Sequence, residues 1–154
     1  MPSAVQAARE ETTLICVREF DAPRQLVFET WASAEHQRHW RAPIGQTVLS
    51  FEADFRPGGA YRMQMESATG ALRCLTGTYR EIVEPELISF TFAWEGDSAP
   101  ANLVTVTFEA LGARTRLTLR QAPFTTTEAR DAHAVGWGSA FDRLAGHLTE
   151  RTPS

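Results

Sequence analysis

The residues able to do chemistry in this chain are few and widely spaced. His36 and His39 lie three apart in SAEHQRHW, a segment with helical patterning, so both imidazoles would leave the same side. Glu35 cannot join them, because helix neighbours diverge. Two imidazoles without a third ligand make a poor metal site, so no metal is expected and the pair reads as solvent-facing histidines beside Trp40. His133 precedes Trp137 by one helical turn, on a stripe that continues through Phe141, Leu144 and Leu148. An imidazole there would hydrogen-bond a ligand or move a proton near neutral pH; the competing reading is a histidine satisfied by a backbone carbonyl. Arg18 alternates with Leu14, Cys16 and Phe20. If that face points inward, the guanidinium needs a ligand carboxylate or an internal Glu as partner. If Ile15 and Val17 point inward instead, Arg18 is a surface residue. Ser139, in Gly136-Trp137-Gly138-Ser139, falls mid-helix rather than on the tight turn a nucleophilic serine needs, so it is not read as a nucleophile. Each helical glycine there costs about 1 kcal/mol relative to Ala, which implies close approach of a strand or a bend.

What the chain lacks excludes further chemistry. All 15 basic residues are Arg. Without Lys there is no internal Schiff base and no Walker phosphate loop, and no cofactor is expected. A net charge of −4 with no basic cluster speaks against nucleic acid as a partner. Cys16 and Cys74 are too few for a disulfide scaffold or a four-thiolate zinc site and read as buried reduced thiols. There is no apolar run of membrane-spanning length and no signal-peptide core in MPSAVQAARE, so no membrane insertion is expected and the chain is placed in a reducing cytoplasm.

The elements that must position these residues follow from periodicity. At 154 residues the chain suits one domain, taken as 12–149, with flexible tails at 1–11 and 150–154. Residues 12–20 read as a strand, and Asp21-Ala22-Pro23 starts a helix with Val27, Phe28 and Trp31 on its apolar face. Ser33 caps a second short helix, ended by Ala42-Pro43-Ile44-Gly45. Six strands follow. In 47–55, Leu49, Phe51, Ala53 and Phe55 share one face and Val48 the other; in 60–66, Tyr61, Met63 and Met65 share a face. A longer strand over 71–83 has a bulge near Arg80-Glu81. Ile88, Phe90, Phe92 and Trp94 form the most regular face, then Val104, Val106 and Phe108, then Thr115, Leu117 and Leu119. A long helix, capped by Thr126 or Thr127, ends the domain. Short connections imply antiparallel neighbours, and one-faced strands need a single covering layer. The expected fold is therefore α+β: a curved antiparallel seven-stranded sheet gripping the C-terminal helix, with two short helices after strand one.

That order resembles the START-like (SRPBCC) superfamily and its helix-grip fold. Within it, REFDAPRQLVFETWASAEHQRHW, RPGGAYRMQM, GTYREIVEPELISFTF and GWGSAFDRLAGHL are similar to the family named after the activator of the heat-shock-protein-ninety ATPase, in its short bacterial form. The resemblance implies a cavity between helix and sheet in which relatives hold hydrophobic molecules. Relatives often carry a second Trp after the equivalent of Trp40; here Arg41 stands there, altering the expected cavity rim. The residues expected at the cavity are Arg18, Trp40, Tyr61, Met63, Met65, Phe90, Phe92, Trp94, His133, Trp137 and Phe141. The expected function is binding of a small hydrophobic or aromatic molecule. The alternatives are a cyclase-, aromatase- or hydrolase-like enzyme using His133, or a protein-interaction module like a co-chaperone. A homodimer is compatible with each.

Overall fold

The computed structural model describes residues 12–97 and 101–151. Strand β1 spans Leu14–Phe20, followed by helices α1 (Arg24–Ala32) and α2 (Ala34–Trp40). Strands β2 (Thr47–Ala53), β3 (Ala60–Glu66), β4 (Leu72–Val83), β5 (Leu87–Trp94), β6 (Asn102–Leu111) and β7 (Arg114–Ala122) lead to helix α3 (Thr127–Arg151). All seven strands form one curved antiparallel sheet, ordered β1-β7-β6-β5-β4-β3-β2. Helix α3 thus runs two residues into the segment expected as a tail; residues 1–11 and 152–154 lie outside the described residues.

Local chemistry explains the helices. Pro23 sits at the N-cap of α1, where its missing N–H costs nothing, and its carbonyl accepts from Val27 N–H at 3.1 Å. Ser33 ends α1 and starts α2: its Oγ accepts from His36 N–H at 3.3 Å, with Glu35 near the positive helix end. Thr126, rather than Thr127, caps α3, its Oγ1 accepting from Ala129 N–H at 3.1 Å.

The sheet buries one face. Ile88, Phe90 and Phe92 of β5, Val104, Val106 and Phe108 of β6, and Leu117 and Leu119 of β7 are all buried. Against them α3 sets Trp137, Phe141, Leu144 and Leu148, each such side chain contributing about 1.5–3 kcal/mol. Phe141 meets Phe20 edge-to-face at 6.0 Å, which ties helix to sheet. The bulge in β4 lies between Tyr79 and Glu81, where its pairing with β5 shifts. A second bulge corrects the expected phase of β2. Register shifts between Val48 and Ser50, so the extra residue, Leu49, turns outward and is exposed, while Val48 packs against the core.

Candidate functional site

A pocket of about 400 Å³ lies between α3, the inner face of β3–β5 and the loop after α2. Its walls include Met63, Met65, Leu75, Phe92, Trp94, His133, Gly136 and Trp137. Ile44 and Val135, both exposed, mark where it reaches the surface. Helix α3 holds the loop in place: Ile44 N–H donates to Ser139 Oγ at 2.7 Å, and Arg143 Nη1 donates to the carbonyls of Ala42 and Gln46 at 3.0 Å each. Ser139 is therefore a loop anchor. Gly136 faces the pocket rather than a strand; a Cβ there would meet Pro43 Cγ at 3.7 Å. Among the described residues nothing lies within 4 Å of a Cβ at Gly138, so their packing does not account for that glycine.

The polar groups at the pocket are already arranged. Trp137 Nε1 donates to Gln121 Oε1 at 2.8 Å, and both residues are buried. Trp94 Nε1 donates to His133 Nε2 at 3.1 Å, and His133 Nδ1 lies 2.8 Å from the Ala129 carbonyl. One neutral tautomer, protonated on Nδ1, satisfies both contacts. His133 therefore matches the backbone-satisfied alternative. Arg73 stacks on Trp94, its guanidinium carbon 3.8 Å from the ring centroid. Arg41, only 6% exposed, forms part of the pocket wall, deeper than the rim position expected for it. Burial pulls its pKa down and pushes the phenols of Tyr61 and Tyr79 up; the Arg41 charge partly opposes the rise at both tyrosines.

Six expected cavity residues meet at this pocket: Met63, Met65, Phe92, Trp94, His133 and Trp137. Tyr61 and Phe90 instead border a small void of about 10 Å³ on the other side of Arg41, and the Tyr61 hydroxyl donates to Thr91 O at 2.6 Å. The indole N–H of Trp31, which also borders that void, has no hydrogen-bond partner among the described residues. Trp40 and Phe141 belong to the packed core, and Trp40 Nε1 donates to Thr30 O at 3.1 Å. Arg18 lies on the helix-facing side of β1 but not at the pocket. It pairs with Asp142 of α3 at 2.6 Å, with side-chain exposures of 35% and 58%. The acidic partner is thus an Asp one hundred and more residues away, invisible to strand periodicity.

Of the histidine pair, His39 is exposed as expected, whereas His36 is half-buried against a third imidazole. His36 Nδ1 lies 2.8 Å from Nε2 of buried His147, and the His39 ring stacks on His147 at 5.2 Å. His147 was not visible as a third imidazole because only the packing of α2 on α3 brings it there. Among the described residues, no group of three or more His, Cys, Asp or Glu side chains is disposed to hold a metal ion. Cys16 and Cys74 are both free and half-buried; burial raises the Cys16 thiol pKa, and Arg62 Nη2 contacts Cys74 Sγ at 3.2 Å. No helix among the described residues is long and apolar enough to cross a membrane.

A sheet curled on one long C-terminal helix, with a pocket between them and two short helices closing the end, defines a START-like, helix-grip domain. The chain belongs to the family described as activator of Hsp90 ATPase homolog 1-like proteins, which it matches over residues 21–149. Solved structures agree. A protein from Chromobacterium violaceum is 25% identical, with TM-score 0.82 over 88% of this chain and 95% of that one. An AHSA1 protein from Silicibacter pomeroyi is 23% identical, with TM-score 0.82 over 91% and 99%. A protein from Rhizobium leguminosarum is 30% identical, with TM-score 0.73 over 91% and 95%. A search of curated proteins finds no match.

Proposed function

We propose that this protein binds a small, largely apolar molecule between α3 and the sheet. The observation that carries this reading is the pocket itself, about 400 Å³ and walled mainly by apolar side chains, Met63, Met65, Leu75, Phe92, Trp94 and Trp137 among them. That volume falls within the range of small-molecule sites, roughly 300–1,000 Å³, and a few fixed polar groups among apolar walls is the usual pattern of such sites. Two methionines, Met63 and Met65, suit variable ligand shapes. Catalysis is the weaker reading, since both nitrogens of His133 are engaged within the protein. Ile15 and Val17, exposed on edge strand β1, are the feature that would serve an interaction module instead. We place this binding activity in a reducing cytoplasm, in keeping with two free thiols.

The test is titration of alkyl and naphthyl compounds into wild type and Trp137→Phe, read by intrinsic emission and melting temperature. A ligand at a hundredfold excess over its Kd stabilises by about 2.7 kcal/mol, or roughly 5–10 °C for a domain this size. The emission change should shrink in the variant, with Trp31, Trp40 and Trp94 as background. If no compound moves either signal, ligand binding is refuted and the interaction module becomes the better account.

A further inference from the structure

Resting on that reading, we propose that the pocket selects an apolar molecule bearing one carboxylate, whose negative charge pairs with the buried guanidinium of Arg41. Arg41 follows α2 directly and is folded into an aromatic box. Its guanidinium carbon lies 4.9 Å from the Trp137 ring centroid, 5.6 Å from Phe90, 5.8 Å from Trp31 and 5.9 Å from Trp40. These faces attract a cation but accept no conventional hydrogen bonds in its plane. The guanidinium carries five N–H donors and stays charged in proteins. Among the described residues its hydrogen bond goes to a neutral acceptor, Gln37 Oε1, at 3.2 Å, and none of the ion pairs includes it. A desolvated cation without a counter-ion is costly to keep, and an anion that pairs with it in good geometry offsets part of that cost.

The pocket's charge points the same way. Arg41 and Arg73 both line it, and among the described residues no Asp or Glu does, although the chain as a whole carries a net charge of −4. Arg73 is exposed and stacked on Trp94, so it serves the approach of an anion, whereas Arg41 is buried and serves its capture. A planar fork of donors fits a carboxylate in two-point fashion, a geometry unavailable to an alcohol or an amine.

The experiment compares matched ligands: decanoate with decanol, and naphthoate with naphthylmethanol, titrated by calorimetry at neutral pH. Wild type should bind each acid at least about tenfold more tightly than its alcohol. Arg41→Met should erase that preference by weakening the acids, leaving the alcohols within about threefold, and Arg73→Gln should retain most of it. If Arg41→Met does not fold, methyl decanoate replaces it; the ester must then bind like the alcohol. Equal affinity of acid and alcohol in wild type, an ester as tight as the acid, or a preference that survives Arg41→Met overturns the role of Arg41 while leaving apolar binding intact. If neither acids nor alcohols bind, the pocket is not a ligand site and both proposals fall.

Discussion

The buried bond between Trp137 and Gln121 gives a sharp energetic test of how the helix is held on the sheet. Trp137 Nε1 donates to Gln121 Oε1 at 2.8 Å, while Gln121 Nε2 donates to Asn102 Oδ1 at 2.9 Å. In Trp137→Phe the Gln121 oxygen keeps its buried position but loses its donor, a penalty of about 1–3 kcal/mol. The missing ring adds a further packing loss, reduced because Trp137 borders the pocket rather than a closed core. A total of roughly 2 kcal/mol corresponds to a fall in melting temperature of about 4–8 °C. Gln121→Met keeps shape and leaves the indole N–H stranded, again about 1–3 kcal/mol, while half-buried Asn102 can turn to water. The double variant removes donor and acceptor together, so its cost should fall below the sum of the singles by about 1–3 kcal/mol. Urea unfolding of all four proteins, with unchanged m-values, measures this coupling. Additivity within about 0.5 kcal/mol would falsify the idea that this bond is the buried polar tie of α3 to β7.

Three further outcomes follow from named contacts. The only two tyrosines, Tyr61 and Tyr79, have pKa values raised above the ordinary 10.0 by burial, so folding favours their neutral form. That stabilisation is fully present below about pH 10 and is lost as pH rises through the raised native values; ultraviolet absorbance should show tyrosinate appearing only with alkaline unfolding, and a reversible tyrosinate at the ordinary midpoint in the folded protein would contradict it. Gly77→Ala places a Cβ 1.9 Å from the Thr91 carbonyl and 2.5 Å from the Tyr61 ring, so it should cost about 3 kcal/mol or more; Gly138→Ala meets nothing and should stabilise by roughly 0.5–1 kcal/mol, both read by thermal melts. Asp142→Asn should change stability by under about 1 kcal/mol, and less still in high salt, because the Arg18–Asp142 pair is largely exposed; a larger, salt-insensitive loss in denaturant titrations would contradict this.

Periodicity made most strands legible because each buries one face, as with Ile88, Phe90 and Phe92, and the last helix was legible from the stripe through Trp137, Phe141 and Leu144. It failed at Leu49, where adjacent Val48 and Leu49 are both apolar and a bulge decides which one packs inward. At the site, alternation left the inward face of β1 open, because Ile15 and Val17 are as apolar as Leu14 and Phe20, and the partner of Arg18 was not readable, because Asp142 reaches it only through the packing of α3 on β1. Arg41 was harder still. The resemblance placed it only at the cavity rim, and its full burial comes from rings on α1, α2, β5 and α3 that converge only in the folded chain. His147 was missed for the same reason: no local spacing joins it to His36 and His39.

The position of β1 has a kinetic consequence. Strands β2 to β7 are a chain of hairpins in which each pairs with its sequence neighbour. β1 instead pairs with β7, Leu14 opposite Gln121 and Phe20 opposite Thr115, closing a loop of roughly a hundred residues. Hairpins form without that long search, whereas β1 must await the finished meander and carries the entropy of the closure. Docking of β1 should therefore come late in folding and its release early in opening. Amides of β1 should exchange with deuterium ahead of those in β5, at the sheet's centre, while the β3–β5 wall of the pocket stays protected.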